Sequence, residues 1–404
     1  MYTVVLGANF QTMTTLRNVP APVVVVGSGR FPRLTEVPES AQWHVPVDDH
    51  TSTESVLMGL ARLPSSVAIG SVYTQDEYAM VTAAAVASAL GVRGPDPAVA
   101  CRFRDKTLQK ATVRATGLPV ADWCELEGDL EEMVAQCDVL EYPLVIKPVA
   151  GAGTVDTELV STSVEARSTI SRVCASRPGV RIMAEAFQDA AEGSLDGLVV
   201  DGRIAFLGVE RYLFNLLKRG SRGMGGVVAD PKLSPELYAR ANDFAARVVA
   251  ALGMRRGSFH MEVFDGPDGF ILGECAARLG GLYIPLAYRH KFGVDLHSEA
   301  FRLHLAGEAD HVVVPTRRDE AVGWALLACP LGEIKAVPSS EEMRTLPGVV
   351  DCGVYVHPGE RAPDMSLSST TRAGQILVEG PDEEAVEERL EYVARYFTEA
   401  CRVA

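Results

Sequence analysis

Two glutamates, Glu262 and Glu274, stand on either side of the turn sequence DGPDG, and their spacing is the clearest indication of chemistry in the chain. Short apolar runs flank this turn, which is typical of a β-hairpin with a five-residue loop. A hairpin centred on Pro267 places Glu262 opposite Leu272. It places Glu274 opposite His260, so both carboxylates share one face, about 7–8 Å apart between Cα atoms. Two carboxylates on one face repel each other unless a cation lies between them. Mg²⁺ bound to nucleotide phosphates is a suitable cation, because it prefers a few carboxylates together with phosphate oxygens and water as ligands. The alternative is an acidic hairpin that faces solvent.

Cations and glycines that could bind phosphate occur beside this hairpin and earlier in the chain. Arg278 follows Glu274 by four residues and precedes Gly280 and Gly281, so it provides a permanent positive charge near the two acids. Lys147 ends the apolar strand YPLVIKP, which runs directly into the small-residue loop AGAGT. A buried strand that ends in such a loop leaves backbone N–H groups free to donate to phosphate oxygens. The loop lacks the GxxxxGK[ST] spacing of a Walker A sequence, so a phosphate site here would be of another kind.

Residues 213–228 form a glycine-rich segment that carries Lys218, Arg219 and Arg222. This composition suits a mobile lid over an anionic substrate. A solvated surface loop would have the same composition, and the residues themselves favour neither alternative.

The elements that must position these residues predict three domains, because 404 residues exceed what one hydrophobic core supports. Residues 1–104 alternate β-branched runs with helical stretches, which is typical of a doubly wound α/β domain. The glycine turns of this domain do not complete GxGxxG, so dinucleotide binding is not expected there. Residues 105–300 contain the strand, the loop and the hairpin. Residues 301–404 predict a small α+β domain that ends in an amphipathic helix.

The composition excludes some classes of partner. The net charge of −15 argues against a surface for nucleic acid or for an anionic membrane, where a basic excess is expected. The eight cysteines show no CxxC pair and no metal-ligand spacing, and we find neither a signal-peptide pattern nor an apolar run of membrane length. We therefore expect a cytoplasmic protein with reduced thiols that acts on small molecules. The apolar N-terminal domain would also support a homodimer.

Five motifs, taken in chain order, resemble those of the ATP-grasp carboxylate–amine ligases: RDKTLQKATVRATGLPV, YPLVIKP, AGAGT, AEAF and GECAARLGG. The resemblance covers roughly residues 92–300. It implies an ATP-grasp fold of mixed α/β and α+β class, in which residues 105–185 form the lid subdomain of the ATP-binding domain. The N-terminal domain then corresponds to the α/β domain that precedes the ATP-grasp fold in this family.

The resemblance implies a nucleotide site in the ATP-binding domain. Lys106 and Lys147 match the two phosphate lysines, and AGAGT matches the loop that closes over the γ-phosphate. Glu185 matches the acceptor of the adenine amino group, and Glu192 matches the ligand of the ribose hydroxyls. The other residues implied to bind ATP contribute backbone groups or apolar contacts, namely Gly151, Gly153, Thr154, Ala186, Phe187 and Leu272.

The same resemblance implies the metal ligands and the reacting groups. Glu262 and Glu274 match the acids that bind Mg²⁺, with two ions expected and Mn²⁺ as an alternative. Arg278 matches the arginine that steadies the acyl phosphate, and Arg278 and Lys147 are the expected catalytic residues. The carboxylate and amine substrates are expected near Arg211, Tyr212, His260, Arg278, Gly280, Gly281 and Leu282.

Two positions depart from the family pattern. Many members carry asparagine as a third metal ligand two residues after the second acid, where this chain has Ala276, and water could replace that ligand. Asp156 stands in the phosphate loop where a glycine is usual. Because its charge would repel a triphosphate, we expect the Asp156 side chain to point away from the nucleotide.

Within the superfamily, GECAARLGG, the HxE sequence that begins at His260 and the run LPGVVDCGVYVHPGE most resemble the L-amino acid ligases. Those enzymes join two amino acids through an aminoacyl phosphate. We therefore expect an ATP-dependent ligase that releases ADP and phosphate. The alternatives are another ATP-grasp enzyme, either biotin carboxylase-like or purine-biosynthetic, and a nucleotide-binding protein without catalytic activity.

Overall fold

The structure of the protein is a computed structural model, which describes residues 1–7, 9–28, 42–218, 223–307 and 311–404. Two of the cations expected in the lid segment, Arg219 and Arg222, lie outside these ranges. None of the described helices is long and apolar enough to cross a membrane.

The N-terminal part forms a parallel sheet whose valine-rich strands are buried on both faces, which requires helices on both sides. The strand order is β3-β2-β1-β4. The strands are β1 (Tyr2–Leu6), β2 (Val23–Ser28), β3 (Trp43–Val47) and β4 (Ile69–Thr74). Helix α1 (Phe10–Asn18) covers one face, and α2 (Thr53–Leu60) and α3 (Met80–Leu90) cover the other.

A smaller antiparallel sheet lies within residues 123–186, where the lid subdomain is predicted, and is called the lid sheet, or the lid, below; its strand order is β5-β8-β6-β7. It is preceded by α4 (Pro97–Arg104) and α5 (Lys106–Arg114) and contains β5 (Trp123–Leu126), β6 (Leu144–Pro148), β7 (Glu158–Val160) and β8 (Ile182–Ala186). Helices α6 (Leu130–Leu140) and α7 (Ser163–Ser176) pack on Leu144 and Ile146. Because side chains alternate along a strand, Val145 and Lys147 point from the opposite face of the lid.

The large sheet has eight strands in the order β13-β12-β9-β10-β11-β14-β17-β16. The strands are β9 (Ala191–Val200), β10 (Arg203–Tyr212), β11 (Gly225–Val228), β12 (Gly257–Gly266), β13 (Gly269–Ala276), β14 (Ala321–Leu327), β16 (Val349–Val354) and β17 (Gly374–Gly380). A separate pair joins β15 (Ile334–Ala336) to β18 (Arg402–Val403). The associated helices are α8 (Pro235–Leu252), α9 (Ile284–Phe292), α10 (Leu296–Ala306), α11 (Ser340–Arg344) and α12 (Glu383–Ala400).

Strands from both sides of the expected boundary at residue 300 belong to this one sheet, because β11 pairs with β14. The domain limits at residues 104 and 300 therefore stay predictions. Helix α8 packs on one face of the sheet and α9 on the other. Glu262 lies on the face away from α8, because its strand neighbours Met261 and Val263 pack in the same cluster as residues of α8.

The hairpin of β12 and β13 forms as predicted, but its predicted register was wrong. Gly266 pairs with Gly269, which leaves a two-residue turn, and Glu262 pairs directly with Glu274. The register shifts next to Glu262, so Gly273 is one extra residue on β13. Counting outward from the turn in steps of two cannot reveal such a bulge. Both carboxylates still share one face, because directly opposed residues of a ladder point to the same side.

Candidate active site

A cleft between the lid sheet and the glutamate hairpin brings together the sequence motifs. The expected residues that line it are Lys106, Lys147, Gly151, Gly153, Thr154, Glu185, Ala186, Phe187, Glu192, Glu262 and Glu274. Residues 215–217, from the segment for which a lid was one of the two predicted alternatives, also line the cleft, as does Ser369, which was not expected there. Leu272 is fully buried, and its backbone N–H donates to the Pro119 carbonyl. Residues spread over more than half of the chain thus form one polar cleft.

The paired carboxylates of Glu262 and Glu274 are partly accessible at this cleft, with 24% and 28% of their side chains exposed. The Lys106 ammonium lies 3.1 Å from Glu274. Burial disfavours the charged form of Glu274, but Lys106 and Lys147 outweigh it and lower the pKa of this carboxyl to about 2. Glu274 is therefore ionised and available to a cation.

Magnesium fits this pair of carboxylates if phosphate and water supply the remaining oxygen ligands. Within the described ranges, no group of three His, Cys, Asp or Glu side chains converges as a metal site. Ala276, the position at which the family resemblance implied a third ligand, is buried and pairs with His260 in the ladder. The protein's own share of such a metal site would therefore be Glu262 and Glu274.

Glu185 lies between two lysines of the cleft wall. Lys147 donates to Glu185 Oε1 at 2.5 Å, and Lys110 lies 2.9 Å from Oε2. Burial opposes ionisation of Glu185, but Lys110 and Lys147 outweigh it and lower the pKa of this carboxyl. In this structure both carboxylate oxygens contact lysines, and the role of Glu185 toward adenine stays a prediction.

Lys110, which contacts Glu185 from behind the cleft wall, is a residue that the sequence analysis missed. It is fully buried, and it also donates to the carbonyl of the bulged Gly273 at 3.0 Å. Burial lowers the pKa of Lys110, and the Glu185 carboxylate opposes that effect. A signal was present, because Lys110 follows Lys106 by four residues and so lies on the same face of α5.

Glu192 lies close enough to the Glu262 and Glu274 carboxylates to interact with their charges. Its Oε2 accepts from the backbone N–H of Leu216 at 2.7 Å. Burial, together with the neighbouring Glu262 carboxylate, raises the pKa of Glu192 to about 8. At neutral pH Glu192 is therefore mostly protonated, and a cation bound nearby would favour its ionised form.

The small-residue loop has an unusual backbone conformation. Gly153 and Thr154 adopt positive φ angles of 64° and 55°, a region that side-chain-bearing residues rarely occupy. The Asp156 carboxylate pairs with Arg177 at 2.8 Å and with Arg172 at 3.3 Å, both on the lid. Asp156 therefore points away from the cleft, as expected from its charge.

Arg278 is bound by an acid of the N-terminal domain that the sequence analysis did not identify. Its Nε donates to Glu77 Oε2 at 2.7 Å, and Arg104 donates to the other oxygen of Glu77 at 2.9 Å. Arg104 also donates to the carbonyl of Ala150 at 2.6 Å. Glu77 therefore links Arg278 to the small-residue loop through Arg104.

The structure does not bring Arg211 to the cleft, contrary to our expectation for a substrate residue. Its guanidinium pairs with Glu383 and Glu387 on α12. The physical reason is strand alternation: Glu210 and Tyr212 on β10 are buried, so Arg211 points from the opposite face, where acidic residues attract it.

His260 is tied to the segment that follows the hairpin. Its Nδ1 lies 3.0 Å from Asp196 Oδ1, which also accepts the backbone N–H of Gly280 at 2.8 Å. Burial lowers the pKa of His260, but Asp196 and Glu262 outweigh it and raise the value to about 10. Gly281 and Leu282 come next, and Leu282 has a positive φ of 56°. Asp196 thus positions both His260 and this strained segment.

Comparison with known proteins confirms the expected fold and resemblance. Residues 325–398 match the family model described as L-amino acid ligase C-terminal domain 2. An L-arginine-specific L-amino acid ligase of Bacillus subtilis is 25% identical over 298 residues, which cover 72% of this chain and 71% of that protein. An L-amino acid ligase structure from Bacillus licheniformis matches with a TM-score of 0.79 and 18% identity, over 100% of this chain and 98% of that one.

A carboxyaminoimidazole ribonucleotide synthase from Aspergillus clavatus, solved in complex with ATP, matches with a TM-score of 0.74 and 17% identity. The match covers 98% of each chain. The fold is therefore the ATP-grasp fold, and the expected similarity to the L-amino acid ligases is borne out.

Proposed function

We propose that this protein is an ATP-dependent carboxylate–amine ligase that joins two amino acids, or an amino acid and a related amine, and releases ADP and phosphate. The observation that carries the proposal is the directly opposed pair Glu262 and Glu274, which shares one cleft with Lys106 and Lys147. The similarity to L-amino acid ligases supports free amino acids as the substrate class.

Lys106 and Lys147 line the cleft and contact Glu274 and Glu185 in this structure. They would exchange part of these contacts for the phosphates of a nucleotide that enters the cleft. Glu262 and Glu274 would hold the metal, which we propose to be two Mg²⁺ ions with Mn²⁺ as a substitute. When bound, the metal supplies the positive charge that offsets repulsion between a carboxylate and the γ-phosphate.

The substrate carboxylate attacks the γ-phosphate, which gives an acyl phosphate and ADP. A neutral amine then attacks the acyl carbon, so the amide bond forms as phosphate leaves. Arg278 would stabilise the acyl phosphate, after exchanging part of its contact with Glu77 for the new anion. The small-residue loop would keep water from this reactive species.

A phosphate-release screen over pairs of amino acids, followed by mass identification of the product, tests the proposal. We expect phosphate release that needs both ATP and a specific pair, with one amide formed for each ADP. The matched control is Glu274→Gln, which keeps the side-chain shape and removes the charge. If bicarbonate alone stimulates phosphate release, the protein is instead another ATP-grasp enzyme, of the biotin carboxylase-like or purine-biosynthetic kind. If no amino acid or amine stimulates it, the ligase proposal fails.

A further inference from the structure

Ser368, Ser369 and Thr370 form a short segment between β16 and β17, which we name the serine latch. It contacts the small-residue loop (residues 150–154), which we call the glycine loop from here on. Ser368 bonds to Gly153, which lies 215 positions earlier in the chain. We propose that the serine latch holds the glycine loop closed over the nucleotide phosphates, so that the C-terminal region controls nucleotide retention. This proposal rests on the proposed function only in taking the cleft as an ATP site.

Three hydrogen bonds join the serine latch to the tip of the glycine loop. Ser368 Oγ donates to the Gly153 carbonyl at 2.7 Å. The backbone N–H of Ser369 lies 3.1 Å from the same carbonyl and 2.8 Å from Thr154 Oγ1. Ser368 and Ser369 are 9% and 7% exposed, so water competes little for these bonds.

The serine latch is itself ordered for this contact. Thr370 Oγ1 lies 3.0 Å from Ser368 Oγ, and the backbone N–H of Thr370 donates to the same oxygen at 3.2 Å. These bonds orient the Ser368 hydroxyl toward the Gly153 carbonyl. A chance contact between two surface loops would not need such support.

The glycine loop has anchors at its base, and the serine latch supplies one at its tip. At the base, Arg104 donates to the Ala150 carbonyl at 2.6 Å, and Lys106 donates to the Gly151 carbonyl at 3.1 Å. The tip, by contrast, has the positive φ angles of Gly153 and Thr154, which are costly unless surrounding contacts hold them. The latch bonds fall on these two residues.

The serine latch also lies at the reaction cleft, because Ser369 lines the same cleft as Lys106, Lys147 and Glu262. When the latch contact breaks, the tip of the loop can leave the phosphates. Nucleotide would then escape faster, and water would reach the acyl phosphate before the amine does. The C-terminal region thereby couples closure of the site to productive transfer.

The test compares Ser368→Ala with the wild-type protein in a stopped-flow measurement of the dissociation rate of a fluorescent ATP analogue with Mg²⁺. We expect dissociation about two- to tenfold faster, the equivalent of one lost neutral hydrogen bond. Ser368→Thr keeps the hydroxyl and should restore the wild-type rate. The matched control is Ser366→Ala, because Ser366 is exposed and bonds to Asp364 instead of the glycine loop.

A second readout is the number of phosphates released per amide formed, which should rise in Ser368→Ala because more acyl phosphate is hydrolysed. Thr370→Val alters an exposed residue and should accelerate nucleotide release even if Ser368→Ala does not fold. If the nucleotide dissociation rate is unchanged in folded Ser368→Ala, the proposal that the serine latch holds the glycine loop closed is wrong. If Thr370→Val is the only variant that folds, an unchanged rate in that variant has the same meaning. Nucleotide release needs no amino acid, so failure of the ligase screen leaves this test intact.

Discussion

Lys110 and Glu185 form a buried ion pair whose disruption should be measurable as a loss of stability. The ammonium and Glu185 Oε2 are 2.9 Å apart, and Lys110 is fully buried. At an effective dielectric constant of about 20, unit charges at this distance attract each other by about 6 kcal/mol. Burial of each ion costs several kcal/mol, so most of that attraction is offset.

Removal of one partner, in contrast, leaves the other charge buried without its attraction. The expected loss in the free energy of unfolding is about 3–5 kcal/mol. Lys110→Met should fall near the lower end of that range, because Lys147 remains beside Glu185. Glu185→Gln should fall near the upper end, because it leaves both lysines without their shared carboxylate. The double variant should lose less than the sum of the two, with a coupling of about 2 kcal/mol or more.

The assay is urea unfolding followed by circular dichroism, combined with hydrogen exchange of peptides from β6 and β8. The exchange measurement localises the effect, because the ion pair joins the lid to α5 and the hairpin. The matched control is Lys335→Met, an exposed lysine paired with Glu333 on the surface, which should change stability by only about 0.5 kcal/mol. A Lys110→Met protein that unfolds at the wild-type urea concentration, or strict additivity in the double variant, would refute the reasoning.

Further predictions concern the metal, the substrates and the lid strand. Glu274→Gln should lower phosphate release by about 10²-fold or more while the fold persists, measured by a coupled phosphate assay and circular dichroism. EDTA should abolish turnover and added Mg²⁺ should restore it; full activity in EDTA would contradict a metal site. Arg211→Ala should leave the KM for each amino acid unchanged, because the guanidinium binds Glu383 and Glu387 on α12. Leu282→Trp should narrow the range of accepted amino acids, and an unchanged product profile would disprove a substrate contact.

Much of the cleft was predictable because its motifs are local. The strand that ends in Lys147 and the small-residue loop that follows it lie within residues 142–154, so they can be read from one short stretch of the chain. The shared face of Glu262 and Glu274 was predicted, but two shifts in register produce it. The two-residue turn alone would oppose Glu262 to Gly273, and the bulge at Gly273 brings Glu274 back opposite Glu262. The register error therefore came from the two-residue turn and the Gly273 bulge together, and Lys110 donates to the carbonyl of that bulge from a different element.

The partners of these residues could not be predicted in the same way. Glu77 binds Arg278 across 201 positions, and Ser368 binds Gly153 across 215. No periodicity connects residues so far apart. Arg211 illustrates the opposite error, because its charge suggested a substrate role while the alternation of β10 directs it toward α12.

The sequence by itself determined which charges this protein carries and which of them lie on one strand, turn or helix face. Residue type and local periodicity are sufficient for that, because both operate within a few positions. Only the tertiary structure decided which carboxylate neutralises which lysine, and that Glu185 is shared by Lys110 and Lys147. Electrostatic and hydrogen-bond energies change within an ångström or two, and packing of distant segments sets those distances.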